Sequence, residues 1–483
     1  MMSSTRIVSR TLDIEIGAEY IDQLEYIVNN VYLESKKQFI DFVVRKPDPV
    51  NPSIIFRLRD SLTGMWAECS ITIGGKPTVS ITVPSSFSVK EQDILLKELE
   101  EVLYLLKETG GYGKLYFTFT SNMELTHIRT RESYKDIFSR LFFNNLVFVF
   151  ALSIVVTSTI WFLSPDLTRF LINIMLFQAV LLLLSDRIVF AFCNWRIDEL
   201  NRYTYLVECR VPLSDYQDFL KKCYVKRTEI KKDIFNRTLA LKKDIDFETV
   251  RDVLLKYGFE ATPQNTALRK IDVYSIVKKT ADKCGLRMPK RIGVLNIAIP
   301  NAGMSGTSFR MSTLMVTTGA IATLTEDEME AVLAHEFSHL RRKDQILFFI
   351  LSSIEYISRI YLIFSVPIFL TILGWFYLFF SLTALFFIAK FIETRADTDA
   401  AYMTGNPKSL ASALRRIGTR RILMERDKRG ILMAWLRWDP HPPVTFRIRR
   451  LETISINQDV KIWRKSIADC IRDFINSVLN PKQ

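Results

Sequence analysis

Hydrophobic and polar positions follow two different rhythms along this chain. In the first 120 residues, short runs at 54–58, 67–73 and 78–83 sit between turn residues, as half-buried strands do. The stretch 89–107 predicts a helix, and a Gly-Gly-Tyr-Gly turn then leads into another strand at 114–120. Residues 1–135 therefore predict a small soluble N-terminal α/β domain with no catalytic constellation in it. His127, just beyond the last strand, has no Cys or His neighbour and reads as an ordinary histidine.

Further along, the alternation gives way to long apolar runs. Residues 141–165 are 25 positions without a charge, enough for a helix to cross a hydrocarbon core about 30 Å thick. The next run, 170–185, has only 16 uncharged residues and spans only if Asp186 and Arg187 lie at the membrane edge or find a partner. From 345 to 389 the chain is apolar for 45 residues, broken only by Glu355 and Arg359, which are four apart and face each other on one helix. That length predicts two spans with a turn near 366–374. Basic residues cluster before the first span (Arg129, Arg131, Lys135, Arg140), after the second (Arg187, Arg196), before the third (Arg341, Arg342, Lys343) and after the fourth (Lys390, Arg395). The loops between paired spans hold almost none. This predicts a multi-pass cell-membrane protein with both termini and all soluble parts in the cytoplasm.

The fold class expected is α+β with a mostly helical, four-span transmembrane portion. Hairpin 1 occupies 141–190, and a polar, cytoplasmic helical insertion fills 191–290. A core at 291–455 contains hairpin 2 (345–390), and a C-terminal helix covers 456–483. Strands are expected at 291–299 and 308–318, with a turn-rich 300–306 between them. Thr325 and Glu328 form a T-x-x-E capping box that starts a helix reaching about residue 341.

Composition changes this picture little. The +13 formal charge over 483 residues invites a nucleic-acid reading, but no basic, aromatic-interleaved recognition motif accompanies it, and membrane proteins keep such charge on the cytoplasmic side. The six cysteines are scattered without a C-x-x-C pair, which argues against a zinc ribbon or a disulfide framework and for a reducing compartment. No apolar stretch follows the first basic residues, so a cleaved signal peptide is not expected.

The chemistry lies in His335-Glu336-Phe337-Ser338-His339. Two imidazoles four apart on a helix project from one face, the spacing that a tetrahedral Zn²⁺ requires of two helix-borne ligands. Glu336 is placed to take a proton from a water activated by the metal. A third ligand is needed. The return leg of hairpin 2 exits into Glu393-Thr394-Arg395-Ala396-Asp397, which brings Glu393 back beside the histidines. Asp397, one turn on, is placed to hold a ligating imidazole.

At this point the sequence resembles the HtpX and CAAX-prenyl-protease family of membrane zinc metallopeptidases. The matching residues are Pro300–Gly306, Val316-Thr317-Thr318-Gly319, Glu326-Asp327-Glu328, Ala331–His339, Asp344, Glu393-x-x-x-Asp397, His441-Pro442-Pro443 and Arg447-Ile448-x-x-Leu451. The resemblance implies a gluzincin-type HExxH core binding one zinc through His335, His339 and Glu393, with Glu336 catalytic. It implies that Asn301, Ala302, Gly303 and Met304 form a sheet edge for substrate, and that His441 and Arg447 stabilise the oxyanion. Gly303 departs from the family, which often has an aromatic residue in this segment. The implied function is a membrane endopeptidase acting on membrane or misfolded proteins in quality control. The alternatives are a protease for lipidated C-termini, disfavoured by the span count, and an inactive scaffold, disfavoured by the intact motif.

Overall fold

The computed structural model describes residues 5–60, 63–110, 112–121, 155–212, 215, 218–366, 372–425, 428–454 and 462–479. The chain divides into two compact units, Met1–Phe117 with Val207–Leu268, and Thr118–Leu206 with Arg269–Gln483.

The first unit holds five antiparallel strands, β1 (Thr5–Thr11), β2 (Ile40–Lys46), β3 (Ser53–Arg59), β4 (Trp66–Thr72) and β5 (Thr78–Pro84), in the order β1-β5-β4-β3-β2. One face packs against the helix Val89–Thr109 and the short helix Ile21–Ile27, enclosing Leu24, Phe56, Ile71, Ile81, Leu99 and Leu103. The alternation of β4 and β5 made them legible in the sequence. The edge strands β1 and β2 bury no residue fully, so no periodic signal marked them.

The strand expected at 114–120 is β6 (Tyr112–Thr120). It does not join that sheet but a three-stranded one with β8 (Tyr203–Pro212) and β9 (Thr266–Asp272). Within 191–290, expected as mostly helical, helices Arg227–Arg237, Phe247–Lys256 and Val273–Lys283 share the stretch with β7 (Trp195–Ile197), β8 and β9, strands that the pattern did not mark. Residues 204–209 of β8 are buried on both faces, and a strand covered on both sides shows no period of two.

Among the described residues, the second unit holds three helices long and apolar enough to cross a membrane, Leu167–Phe192, Asp344–Ile363 and Ile372–Thr404. Of the expected first span, 141–154 lie outside the described residues, and 155–162 are helical. The expected turn at 366–374 falls mostly outside them too. The 16-residue run becomes a 26-residue helix because its ends are satisfied. Asp166 caps the start, accepting from the Arg169 amide at 2.9 Å. Near its end the buried Asp186 accepts from Arg291 at 2.6 Å, an ion pair with the sheet. Within the other hairpin, Arg359 donates to Glu355 at 3.0 Å, and Ser381 of the returning helix donates to the same carboxylate at 3.0 Å.

That sheet has the order β11-β12-β10-β7, with β10 (Arg291–Leu295) parallel to β12 (Met311–Thr317) and β11 (Ala302–Ser308) antiparallel to it at the edge. The segment 300–306, expected as turn, is thus largely strand. Its glycines hide the strand in the pattern but serve a bulge: Gly306 has φ +129°, and a Cβ there would lie 1.9 Å from the Met311 carbonyl oxygen.

Against β11 packs the motif helix Glu326–Arg342, opened by the expected capping box of Thr325 and Glu328. It ends at Lys343 in the left-handed conformation (φ +58°), and the outgoing helix Asp344–Ser365 starts at once. The return helix Ile372–Thr404 changes character along its length. Trp375, Phe376 and Phe380 are exposed, whereas from Ala389 onward nearly every residue is buried. Lys390 and Arg395, counted in the sequence as juxtamembrane cations, are both buried. Lys390 donates to the Arg437 and Asp439 carbonyls at 2.8 Å each, and Arg395 donates to Asp344. Their charge is used inside the protein, so the side assignment rests on the other basic residues.

Candidate metal centre

One helical turn separates His335 from His339, and the short left-handed link at Lys343 brings Asp344 back under them. From the opposite side the buried half of the return helix supplies Glu393 and, four residues on, Asp397. The His335 and His339 Nε2 atoms lie 3.2 Å apart. Glu393 reaches both, with Oε2 3.4 Å from the first and Oε1 3.3 Å from the second. One ligand atom from each of the three residues lies within 4.8 Å of the others.

The donor set can be tested for a metal from its own chemistry. Each Nδ1 faces a carboxylate: His335 Nδ1 is 3.0 Å from Asp397, and His339 Nδ1 is 2.8 Å from Asp344. Carboxylates on Nδ1 place the proton there and leave Nε2 as a lone pair. Two lone pairs then converge with a buried carboxylate whose Oε2 has no hydrogen-bond donor. That arrangement is repulsive by itself and fits a divalent cation bound by nitrogen and oxygen.

The same carboxylates raise the histidine pKa values. Burial opposes the charged form of His339, but Glu393 and Asp344 outweigh it and push the ring up to about 10. Burial likewise opposes that of His335, where Asp397 and Glu393 prevail and the pKa is raised. A metal must displace these protons, so affinity grows as pH rises. We expect zinc affinity of the stripped protein to increase by about tenfold or more per pH unit between about pH 6 and 8, measured by competition with a chromophoric chelator. A flat profile would show that the rings are already neutral.

Around this centre the other expected residues take definite places. Glu336 accepts from the Met304 backbone amide at 3.1 Å, joining the motif helix to the edge strand. Ala302, Gly303 and Met304 lie on β11 and Asn301 just before it, paired with β12 along one side. Gln345 occupies part of the other side, donating to the Met304 carbonyl at 2.5 Å and accepting from the Gly306 amide at 2.9 Å. His441 directs Nε2 to within 3.7 Å of Glu393, while its Nδ1 and backbone amide both contact Asp439 at 2.9 Å. Burial opposes it, yet these hydrogen bonds and Arg421 hold the Asp439 carboxyl below the ordinary carboxylate range.

Arg447 is buried and grips Asp397 with two hydrogen bonds of 2.8 and 2.7 Å, and it lies 3.9 Å from Glu393. The structure thus brings His335, His339, Glu393, Asp397, His441 and Arg447 together and joins Glu336 to Met304, while Asn301, Ala302 and Gly303 are placed on or beside the edge strand. It adds four without an assigned role: Asp344, Arg395, Asp439 and Gln345. Removing Arg447 leaves Asp397 buried without its cation, so Arg447→Ala is expected to cost about 3–5 kcal/mol. Thermal unfolding in detergent checks this; a loss near zero would mean that the pair is solvated.

Residues 267–455 match the Peptidase family M48. The chain is 27% identical over 235 residues to a Protease HtpX homolog of Thermodesulfovibrio yellowstonii, covering 42% of this chain and 81% of that protein. It is 34% identical over 182 residues to a Protease HtpX homolog of Acidiphilium cryptum, covering 35% of this chain and 62% of that one. Among solved structures, Ste24p of S. mikatae matches at 16% identity and a TM-score of 0.29, covering 66% of this chain and 85% of its own.

Proposed function

We propose that residues 267–455, which match Peptidase family M48 and are similar to Protease HtpX homologs, form a metalloprotease domain, and that the chain is a zinc endopeptidase cleaving membrane or misfolded proteins at the cytoplasmic face. The observation that carries the reading is the convergence of His335 Nε2, His339 Nε2 and Glu393, each imidazole backed by a carboxylate. In this reading these three hold the zinc, with Asp397 and Asp344 fixing the ring tautomers. When bound, the ion supplies Lewis acidity, acidifying a water and polarising the scissile carbonyl.

The protein's own groups do the rest. Glu336 accepts the proton of the attacking water and returns it to the departing amine. The edge strand at Asn301–Met304 pairs with the extended substrate backbone, as a sheet takes up an added strand. His441, half exposed at the rim, donates to the developing oxyanion. Arg447 acts on the site chiefly through Asp397, which it holds in place. The domain layout expected above, with 291–455 as the catalytic core around hairpin 2 and four spans in all, belongs to the same proposal, as does the cytoplasmic placement.

The scaffold alternative predicts metal without hydrolysis, and the test separates the two. Purified protein is expected to contain about one zinc per chain, to cleave casein, to lose cleavage with a chelator and to regain it with added zinc. Zinc without cleavage would favour the scaffold reading. No zinc and chelator-independent cleavage would sink the metal site.

A further inference from the structure

Directly before the His441 rim, the helix Lys428–Leu436 and the residues after it leave an apolar surface uncovered. Met433, Leu436 and Trp438 are 58%, 38% and 45% exposed. On the inner side this helix is firmly seated. Trp435 is buried against Phe387 of the return helix and Phe446, and its indole N–H donates to Asp473 at 3.0 Å.

The position of this segment along the return helix decides what meets its outer side. Trp438 packs against Phe379 with the rings tilted and their centroids 6.0 Å apart, and its indole N–H donates to Thr383 at 3.1 Å. Both contacts fall inside the apolar run that ends at Ala389. At 1.5 Å of rise per residue, Thr383 and Phe379 lie roughly 10 and 16 Å back from Lys390 along the helix axis. Lys390, the first charge after the run, is covered by this same segment, since its ammonium is bound to the Arg437 and Asp439 carbonyls. The uncovered side chains also continue the exposed face of the return helix, where Phe376 and Phe380 are 54% and 64% exposed. A Trp whose ring packs on the apolar run and whose N–H is already bonded to Thr383 suits the lipid side of the headgroup boundary.

We propose that Lys428–Trp438 is a membrane-interfacial element whose Met433–Leu436–Trp438 face is immersed in lipid beside the return helix. Asp439 and His441 follow it directly, so one wall of the metal centre is carried by a segment resting in the bilayer surface. A substrate leaving the membrane then meets the centre at the lipid boundary without crossing a water layer. The proposal does not depend on the centre being active, because its test reads lipid contact alone.

The test places an environment-sensitive fluorophore at Met433→Cys, and separately at Leu436→Cys, in full-length protein reconstituted into nanodiscs. Phe380→Cys serves as the lipid reference and Glu248→Cys as the aqueous one, with the parent protein as the labelling blank. Both test positions are expected to be quenched by lipids carrying a nitroxide on the acyl chain nearly as strongly as Phe380→Cys. Iodide is expected to quench them at least about threefold less than Glu248→Cys. Iodide quenching equal to that of Glu248→Cys overturns the proposal. So does protection from both quenchers, which would mean that protein, a second copy included, covers the face. Two positions keep the result readable if one variant fails to fold.

Discussion

Glu336→Gln is expected to lower proteolysis by about 10²–10⁴-fold while zinc content stays at the level of the parent protein. The substitution removes the proton acceptor and little else. A glutamine in the same rotamer still offers an oxygen to the Met304 amide, which now donates to Glu336 at 3.1 Å, so the junction between motif helix and edge strand is retained. The metal-facing atoms of His335, His339 and Glu393 are untouched. The decisive measurement pairs casein cleavage with metal analysis on the same preparation. Activity within tenfold of the parent, at full zinc, would require a different base. Parallel loss of zinc and activity would mean that Glu336 shapes the metal site, and the assigned role would fall.

The parts of the site legible in the sequence are those carried by local spacing or by one long-range inference. The capping box at Thr325 and Glu328 is local, and the helix it starts presents His335 and His339 on one face. Glu393 and Asp397 follow from the rule that the two ends of a helical hairpin are neighbours, and the return helix does bring them to the histidines. Asp344 stood in the sequence as a matching residue without a role. Its contact with His339 depends on Lys343 adopting the left-handed conformation, which no residue pattern announces. Gln345 reads as the first residue of an apolar span and becomes a partner of β11 only through that same turn. Lys390 and Arg395 misled in the opposite direction. Their position after an apolar run suggested solvated cations, and only the packing shows both buried on internal acceptors. The edge strands β1, β2 and β11 escaped for a physical reason, since strands that bury little or carry glycines have weak periodicity.

The sharpest test of the ligand set is Glu393→Ala. It removes the carboxylate that, alone among the described residues, reaches both Nε2 atoms, at 3.4 and 3.3 Å, while Asp397 keeps its grip on Arg447. Two imidazoles then remain, and zinc is expected to bind at least about a thousandfold more weakly, a loss of about 4 kcal/mol. Stoichiometry should fall from about one zinc per chain to near zero after gel filtration in a mild chelator, and cleavage should fall with it. Asp397→Asn separates ligation from support, because the amide still sits beside His335 Nδ1 without its negative charge, and an effect of about 10–100-fold on zinc affinity is expected. A structural role for Glu393 predicts a different order. Then Glu393→Ala would lower the unfolding temperature and leave zinc bound, and Asp397→Asn, which breaks the buried pair with Arg447, would be the more damaging change. The ranking of the two variants by metal content therefore decides whether Glu393 touches the ion or only fills the space beside it.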